Sequence, residues 1–146
     1  MIIRQAIASD AAAIGTLLAQ LGYPPPESNP EFVKEKIEYY SRPFFQLLVA
    51  EENQGVSGFI SLHWFEVFHS PGMLARITAF CVNEQLRSTG IGHHLLETSY
   101  KFLSEQGCHA VEVTSNMRRS RTHEFYLKKG FLETSRRFIK SLTPPA

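Results

Sequence analysis

Two stretches of the chain carry residue types that could do chemistry. The first is Val82-Asn83-Glu84-Gln85-Leu86-Arg87-Ser88-Thr89-Gly90-Ile91-Gly92, where an apolar run meets a loop with two glycines and a helical pattern opens. A helix start presents amides without helical partners and the positive end of the helix dipole, so such a turn can hold an anion. Glycines let a phosphate come close to the backbone, and Arg87 adds a charged donor at the rim. The plainer reading is a tight strand-to-helix turn with no ligand. The second stretch is His123-Glu124-Phe125-Tyr126-Leu127-Lys128-Lys129-Gly130-Phe131. A tyrosine hydroxyl, with an ordinary pKa of about 10, stays protonated at neutral pH and can donate to a departing thiolate. The plainer reading there is a half-buried ring that closes a core.

Other chemistries fit less well. A Walker loop needs Gly-Lys-Ser/Thr, which this chain lacks. A dinucleotide fingerprint needs a third glycine where His94-Leu95 stands. His93 and His94 are adjacent on a predicted helix, point in different directions and do not suit one metal ion, so no metal is expected. Cys81 and Cys108 match no metal or redox spacing and read as reduced thiols.

The elements that must position these stretches follow from periodicity and punctuation. Ile2 to Ile7 suits a short strand, and Ser9 is a candidate cap for a helix carrying Ile14, Leu17, Leu18 and Leu21 on one face. Gly22 and three prolines end it, and Asn29-Pro30 starts another that ends near Pro43. Phe44 to Glu51 and Val56 to Phe65 read as a hairpin around Asn53-Gln54-Gly55. Ala75 to Val82 is apolar on both faces, as suits a central strand. Thr89 to Glu105 is helical, Ala110 to Thr114 a strand, Ser120 to Lys129 a short helix, and Phe131 to Leu142 one or two final strands. Helices on both faces of one mixed sheet are expected, in a single domain over residues 1–146.

Arg87-Ser88-Thr89-Gly90-Ile91-Gly92 resembles the pyrophosphate motif Arg/Gln-x-x-Gly-x-Gly/Ala of the GNAT acetyltransferases. Thr114-Ser115-Asn116, Arg119, His123, Phe125-Tyr126 and Gly130-Phe131 are similar to that superfamily's second motif, and the element order suits it over essentially the whole chain. The resemblance implies an α/β fold: a mixed, mostly antiparallel sheet of six to seven strands, two of them parallel and splayed, with about four helices. It implies acetyl-CoA as cosubstrate, lying between Ile77–Val82 and Ala110–Thr114. Backbone groups of Phe80, Cys81 and Val82 would pair with the pantetheine arm. The loop from Arg87 through Ser88, Thr89, Gly90 and Ile91 to Gly92 would hold the pyrophosphate, and Asn116 would sit near the arm. A neutral amine would attack the thioester directly, a backbone N–H such as that of Val82 would face the oxyanion, and Tyr126 would protonate the thiolate. A Cys81 acyl-enzyme is disfavoured because direct transfer needs no such intermediate.

The acceptor is a primary amine, expected on a small molecule. Candidate lining residues are Tyr23, Glu27, Trp64, Phe65, Glu66 and Phe68, with Glu112 a further carboxylate; ordinary core aromatics are the plainer reading. No base stands out among His63, Glu66, His69 and Glu112, and a water chain could replace one. Many members that modify protein N-termini have an asparagine near position 119 or 120. Arg118-Arg119-Ser120-Arg121 stands there instead, which weakens a protein or peptide acceptor. The motif wording around Asn116 to Tyr126 also resembles uncharacterised bacterial members and some aminoglycoside acetyltransferases. A regulatory module that binds acetyl-CoA without catalysis is the alternative from another class; an intact Tyr126 argues against it.

Composition bounds the rest. The 146 residues are 43% hydrophobic with a formal net charge of +1, so no strong field recruits nucleic acid or a membrane. No signal-like start and no apolar run of about 20 residues is present, and a soluble cytoplasmic protein is expected. A homodimer through a sheet edge or through residues 131–142 is compatible with the resemblance.

Overall fold

A five-stranded sheet organises residues 1–114 in the computed structural model, which describes residues 1–53, 55–87, 89–114 and 120–144, with backbone alone at Ser120 and Arg121. The strands are β1 (Ile2–Gln5), β2 (Phe45–Glu52), β3 (Gly55–Glu66), β4 (Met73–Val82) and β5 (Cys108–Val113), in that spatial order. The first three pairings are antiparallel and β4–β5 is parallel. Four α-helices accompany them: α1 (Ala11–Leu21), α2 (Pro30–Tyr39), α3 (Ile91–Glu105) and α4 (Ser120–Lys128). None among the described residues is long and apolar enough to cross a membrane. The chain divides into two compact units, Met1–Thr114 and Ser115–Ala146.

Local chemistry explains most boundaries. The β2–β3 hairpin closes on Gly55, whose φ of 108° favours glycine. Asn29 and Pro30 start α2 as cap and first-turn proline. The cap of the first helical segment is different from the expected one. Ser9 lies inside a 3-10 turn, Ala8–Asp10, and Asp10 accepts the Ile7 amide at 2.8 Å.

The two sheet faces carry different helices. Leu47, Val49, Phe59 and Cys81 pack with Ile14 and Leu17 of α1 and Val33 and Ile37 of α2. Gly58, Ile60, Leu62 and Trp64 alternate onto the opposite face. There α3 covers them: a Cβ on Gly58 would touch Ile91 and Leu95, and the rings of Trp64 and Phe102 meet edge to face at 5.5 Å.

The strand β4 is apolar on both faces for a reason that periodicity does not show. Ser61 pairs with Ala79 but Leu62 pairs with Ile77, so Thr78 is one residue extra. This bulge inverts the facing of the strand. Ala79 and Cys81 turn to α1 and α2, whereas Ala75 and Ile77 turn to α3.

The expected count of six to seven strands is corrected to five among the described residues. Residues 131–142, expected as one or two strands, form none. Leu132, Phe138, Ile139 and Leu142 are strongly exposed, and β-type residues make a strand only where a ladder partner takes up their backbone groups. In the second unit α4 ends in a glycine closure, with Gly130 N–H donating to Leu127 O at 3.1 Å and Phe131 N–H to Tyr126 O at 3.0 Å.

Candidate functional site

The parallel ladder between β4 and β5 ends early. Its last pairs are Arg76 with Glu112 and Ile77 with Val113, yet β4 continues for five more residues to Val82. Past Ile77 the edge of β4 that faces β5 therefore runs on beyond the end of the ladder. Cys81 is buried there with its thiol donating to Leu17 O at 3.3 Å, so its side chain belongs to the α1 core and not to the cleft. Phe80 and Val82 are half-buried.

The loop after Val82 is pinned on several sides. Asn83 N–H donates to Ser57 O at 2.8 Å, and the Asn83 side chain accepts the Gln85 amide at 3.0 Å. Gln20 of α1 accepts the Glu84 amide at 3.0 Å. Thr89 Oγ1 donates to Leu86 O at 2.5 Å, and Arg87 Nε reaches Val82 O at 3.4 Å. Gly90 then caps α3 with φ 91°, a conformation in which a Cβ is strained. The first helical bond runs from His94 N–H to Gly90 O at 3.0 Å, so the amides of Ile91 and Gly92 belong to the open first turn. The Ile91 side chain is core, leaving its backbone for any ligand. Ser88 and Asn116 lie outside the described residues, as do Arg118 and Arg119.

Tyr126 sits half-buried on α4, its ring tilted against Phe125 and Phe131 at 5.6 and 5.3 Å. It belongs to the second compact unit.

The expected acceptor residues do not gather in one place. Tyr23 and Glu27 are exposed between α1 and α2, and Glu66, the last residue of β3, and Phe68 beyond it are exposed. Trp64 is 5% exposed and turned to the α3 face beside Phe44 and Phe102, away from the face that α1 and α2 cover. Phe65 and His63 lie on the α1–α2 face. His63 stacks between Phe45 and Phe65 at 4.4 and 5.2 Å, with its Nδ1 3.1 Å from Phe44 O.

That face continues as a row across four strands, Phe45, His63, Arg76 and Glu112, each opposite the next. Arg76 lies over the Phe65 ring at 5.4 Å and donates from Nε to Glu112 Oε1 at 2.6 Å. Both side chains are close to half exposed, so the pair is worth only about 0–1 kcal/mol and opens easily. Beside it, the bulged Thr78 joins Tyr40 Oη at 2.8 Å and Ser61 Oγ at 2.7 Å. Arg76, Thr78, Tyr40 and Ser61 are absent from the expected site. Arg76 and Thr78 were visible as polar positions in an apolar strand, but their neighbours depend on register. Among the described residues no three metal-ligating side chains converge.

Residues 15–131 match the model of the Acetyltransferase (GNAT) family. An aminoalkylphosphonate N-acetyltransferase of Salmonella typhimurium is 31% identical over 94 residues, which are 64% of this chain. The matched stretch spans 61% of that relative's length. Glucosamine-6-phosphate N-acetyltransferase of Arabidopsis thaliana superposes with a TM-score of 0.81 at 20% identity, covering 97% of this chain and 98% of its own. A GNAT family acetyltransferase of Staphylococcus aureus gives 0.78 at 23% identity, over 97% and 98%. These two likenesses concern the fold. The family match takes in the end of β4, the Arg87–Gly92 loop and α4, and shows that the chain belongs to the acetyltransferase (GNAT) family.

Proposed function

We propose that the chain transfers the acetyl group of acetyl-CoA to the primary amine of a small molecule. The observation that carries this is the ladder ending at Ile77–Val113 while β4 runs on to a pinned, glycine-capped helix start. A strand edge that outruns its partner suits an extended ligand that pairs as an added strand. A helix start with Gly90 at positive φ suits a pyrophosphate. The residues present therefore fit the cosubstrate. Backbone groups of Phe80, Cys81 and Val82 take the arm. Arg87, Thr89, Gly90, Ile91 and Gly92 hold the pyrophosphate, and Ser88 and Asn116, outside the described residues, would keep the roles that the sequence resemblance implies.

Bound acetyl-CoA supplies an acetyl group activated as a thioester. With the pyrophosphate at the loop, the β4 edge from Val82 back to Thr78, about 13 Å at 3.3 Å per residue, would hold the arm. The groups at the bulge would then face the thioester. A backbone donor for the carbonyl oxygen belongs near Thr78 and Ala79 on this geometry, and less naturally at Val82. As the C–N bond forms and the C–S bond breaks, Tyr126 Oη would give its proton to the leaving sulfur, and the proton lost by the amine would pass to solvent, from which the tyrosine is reprotonated. The curated relative is named for an acceptor with an amine and a phosphonate, which supports a small charged amine here.

The test is release of free thiol from acetyl-CoA with amines, peptides and aminoglycosides. Turnover with small amines is expected, and Tyr126→Phe should lower kcat by about 100-fold or more. Acetyl-CoA binding without turnover on any amine would leave a binding module, and no binding would overturn the reading.

A further inference from the structure

We propose that Arg76 and Glu112 form the acceptor subsite, and that it selects short aminoalkyl acids, zwitterions with an ammonium at one end and an acid anion at the other. The inference rests on the acetyl-transfer reading above. Arg76 and Glu112 are the last pair but one of the parallel ladder, and Thr78 on the same face is the first residue beyond its end. The acyl group is delivered at that point if the arm runs from the loop back along β4. A guanidinium, a carboxylate and three linked hydroxyls thus meet where the acceptor nitrogen has to arrive.

The charges decide the ligand class. A simple cation would take Glu112 and strand Arg76 over the Phe65 ring. A simple anion would take Arg76 and strand Glu112. A zwitterion replaces both halves of the existing pair: Glu112 receives its ammonium, and the fork of Arg76, with the Thr78 hydroxyl, receives its anion. With a carboxylate or a singly ionised phosphonate as the anion, the site stays neutral. Arg76 and Glu112 sit opposite each other on adjacent strands about 4.8 Å apart, which suits a ligand whose two charges are separated by a short linker of about one to three carbons. The anion is a carboxylate or a phosphonate, both of which match the fork.

Kinetics with four two- and three-carbon amines of similar size separate the cases: 2-aminoethylphosphonate, β-alanine, ethanolamine and ethylamine, at saturating acetyl-CoA. Wild-type protein should favour at least one acid over ethylamine by tenfold or more in kcat/KM. Whichever acid wins identifies the anion. Arg76→Gln should bring that ratio to within about threefold, mainly through KM for the acid, and Arg76→Lys should fall between. Exchange of the distant exposed Lys34→Gln should keep the wild-type ratio. No preference for either acid, or a preference that survives Arg76→Gln, would overturn the proposal. Calorimetric titration of the same acids into the protein with CoA present reads the subsite without turnover. Binding that is lost in Arg76→Gln while no amine is acetylated would uphold the subsite and sink the transferase reading. Turnover of the amines that lack an acid group, with no acid binding, would do the reverse.

Discussion

Asp10 does three jobs with two oxygens. It accepts Arg4 Nη1 and Nη2 at 2.8 and 2.9 Å, and the Ile7 amide at 2.8 Å, while Arg4 Nε reaches Glu51 at 2.7 Å. The acid thereby ties the first strand, the first helical turn and the second strand together. Its carboxyl is held below the usual range, first by the Arg4 hydrogen bonds and then by the Ile7 amide, against the opposing effect of burial. A lowered folded value means stability that is present above the ordinary carboxylate value of about 3.9 and lost as pH falls through the folded value. Asp10→Asn should cost about 2 kcal/mol at pH 7, because it takes the carboxylate from two of the Arg4 hydrogen bonds and leaves Glu51 as the remaining anion. Thermal melts from pH 7 down to 2.5 should show the gap between wild type and variant closing below about pH 4. A gap that does not narrow between pH 4 and pH 2.5 would count against the ion pair as its source.

The elements that position the loop leave little slack. Gly58 of β3 lies under the start of α3, where an added Cβ would stand 3.0 Å from Cys81 O and 3.3 Å from Ile91 and Leu95. Gly58→Ala should destabilise by about 1–3 kcal/mol and also weaken acetyl-CoA binding, since α3 must move and carries the loop with it. Gly107 ends α3 at φ 87° with open space around it, so Gly107→Ala should lower the melting temperature while leaving that affinity alone. Melting curves with and without acetyl-CoA check both. Helices and the hairpin around Gly55 were legible in the sequence, because glycine, proline and periodicity act locally, whereas the parallel pair was implied by the family resemblance alone. The bulge at Thr78 was not, since it exists only as a mismatch of register between β3 and β4. For the same reason Arg76 and Glu112, 36 residues apart, gave no sign of their pairing. Trp64 was read as pocket lining because an aromatic run does not reveal which face each ring takes. Residues 131–142 looked like strands by composition, which says nothing of a partner.

At the scale of the whole sheet, the strands lie side by side in the order in which the chain makes them. Hairpin β2–β3 closes across a tight turn and β3–β4 across the short loop 67–72, whereas β5 reaches β4 only after the crossover of α3. Short loops are cheap to close and long ones come later, so the meander of β2, β3 and β4 should assemble first. In native-state hydrogen exchange the amides of β3, paired on both sides, should be the last to exchange, and those of β5 among the first of the sheet. Equal protection in β3 and β5 would mean that the sheet opens as one unit. The cleft proposed for the cosubstrate lies at the late, labile side of that order. Acetyl-CoA would then act on the protein as a fastener as well as a reactant: its binding should slow exchange in β5 more than in β3, and a cell short of acetyl-CoA would hold this chain in a form that opens more readily at that side.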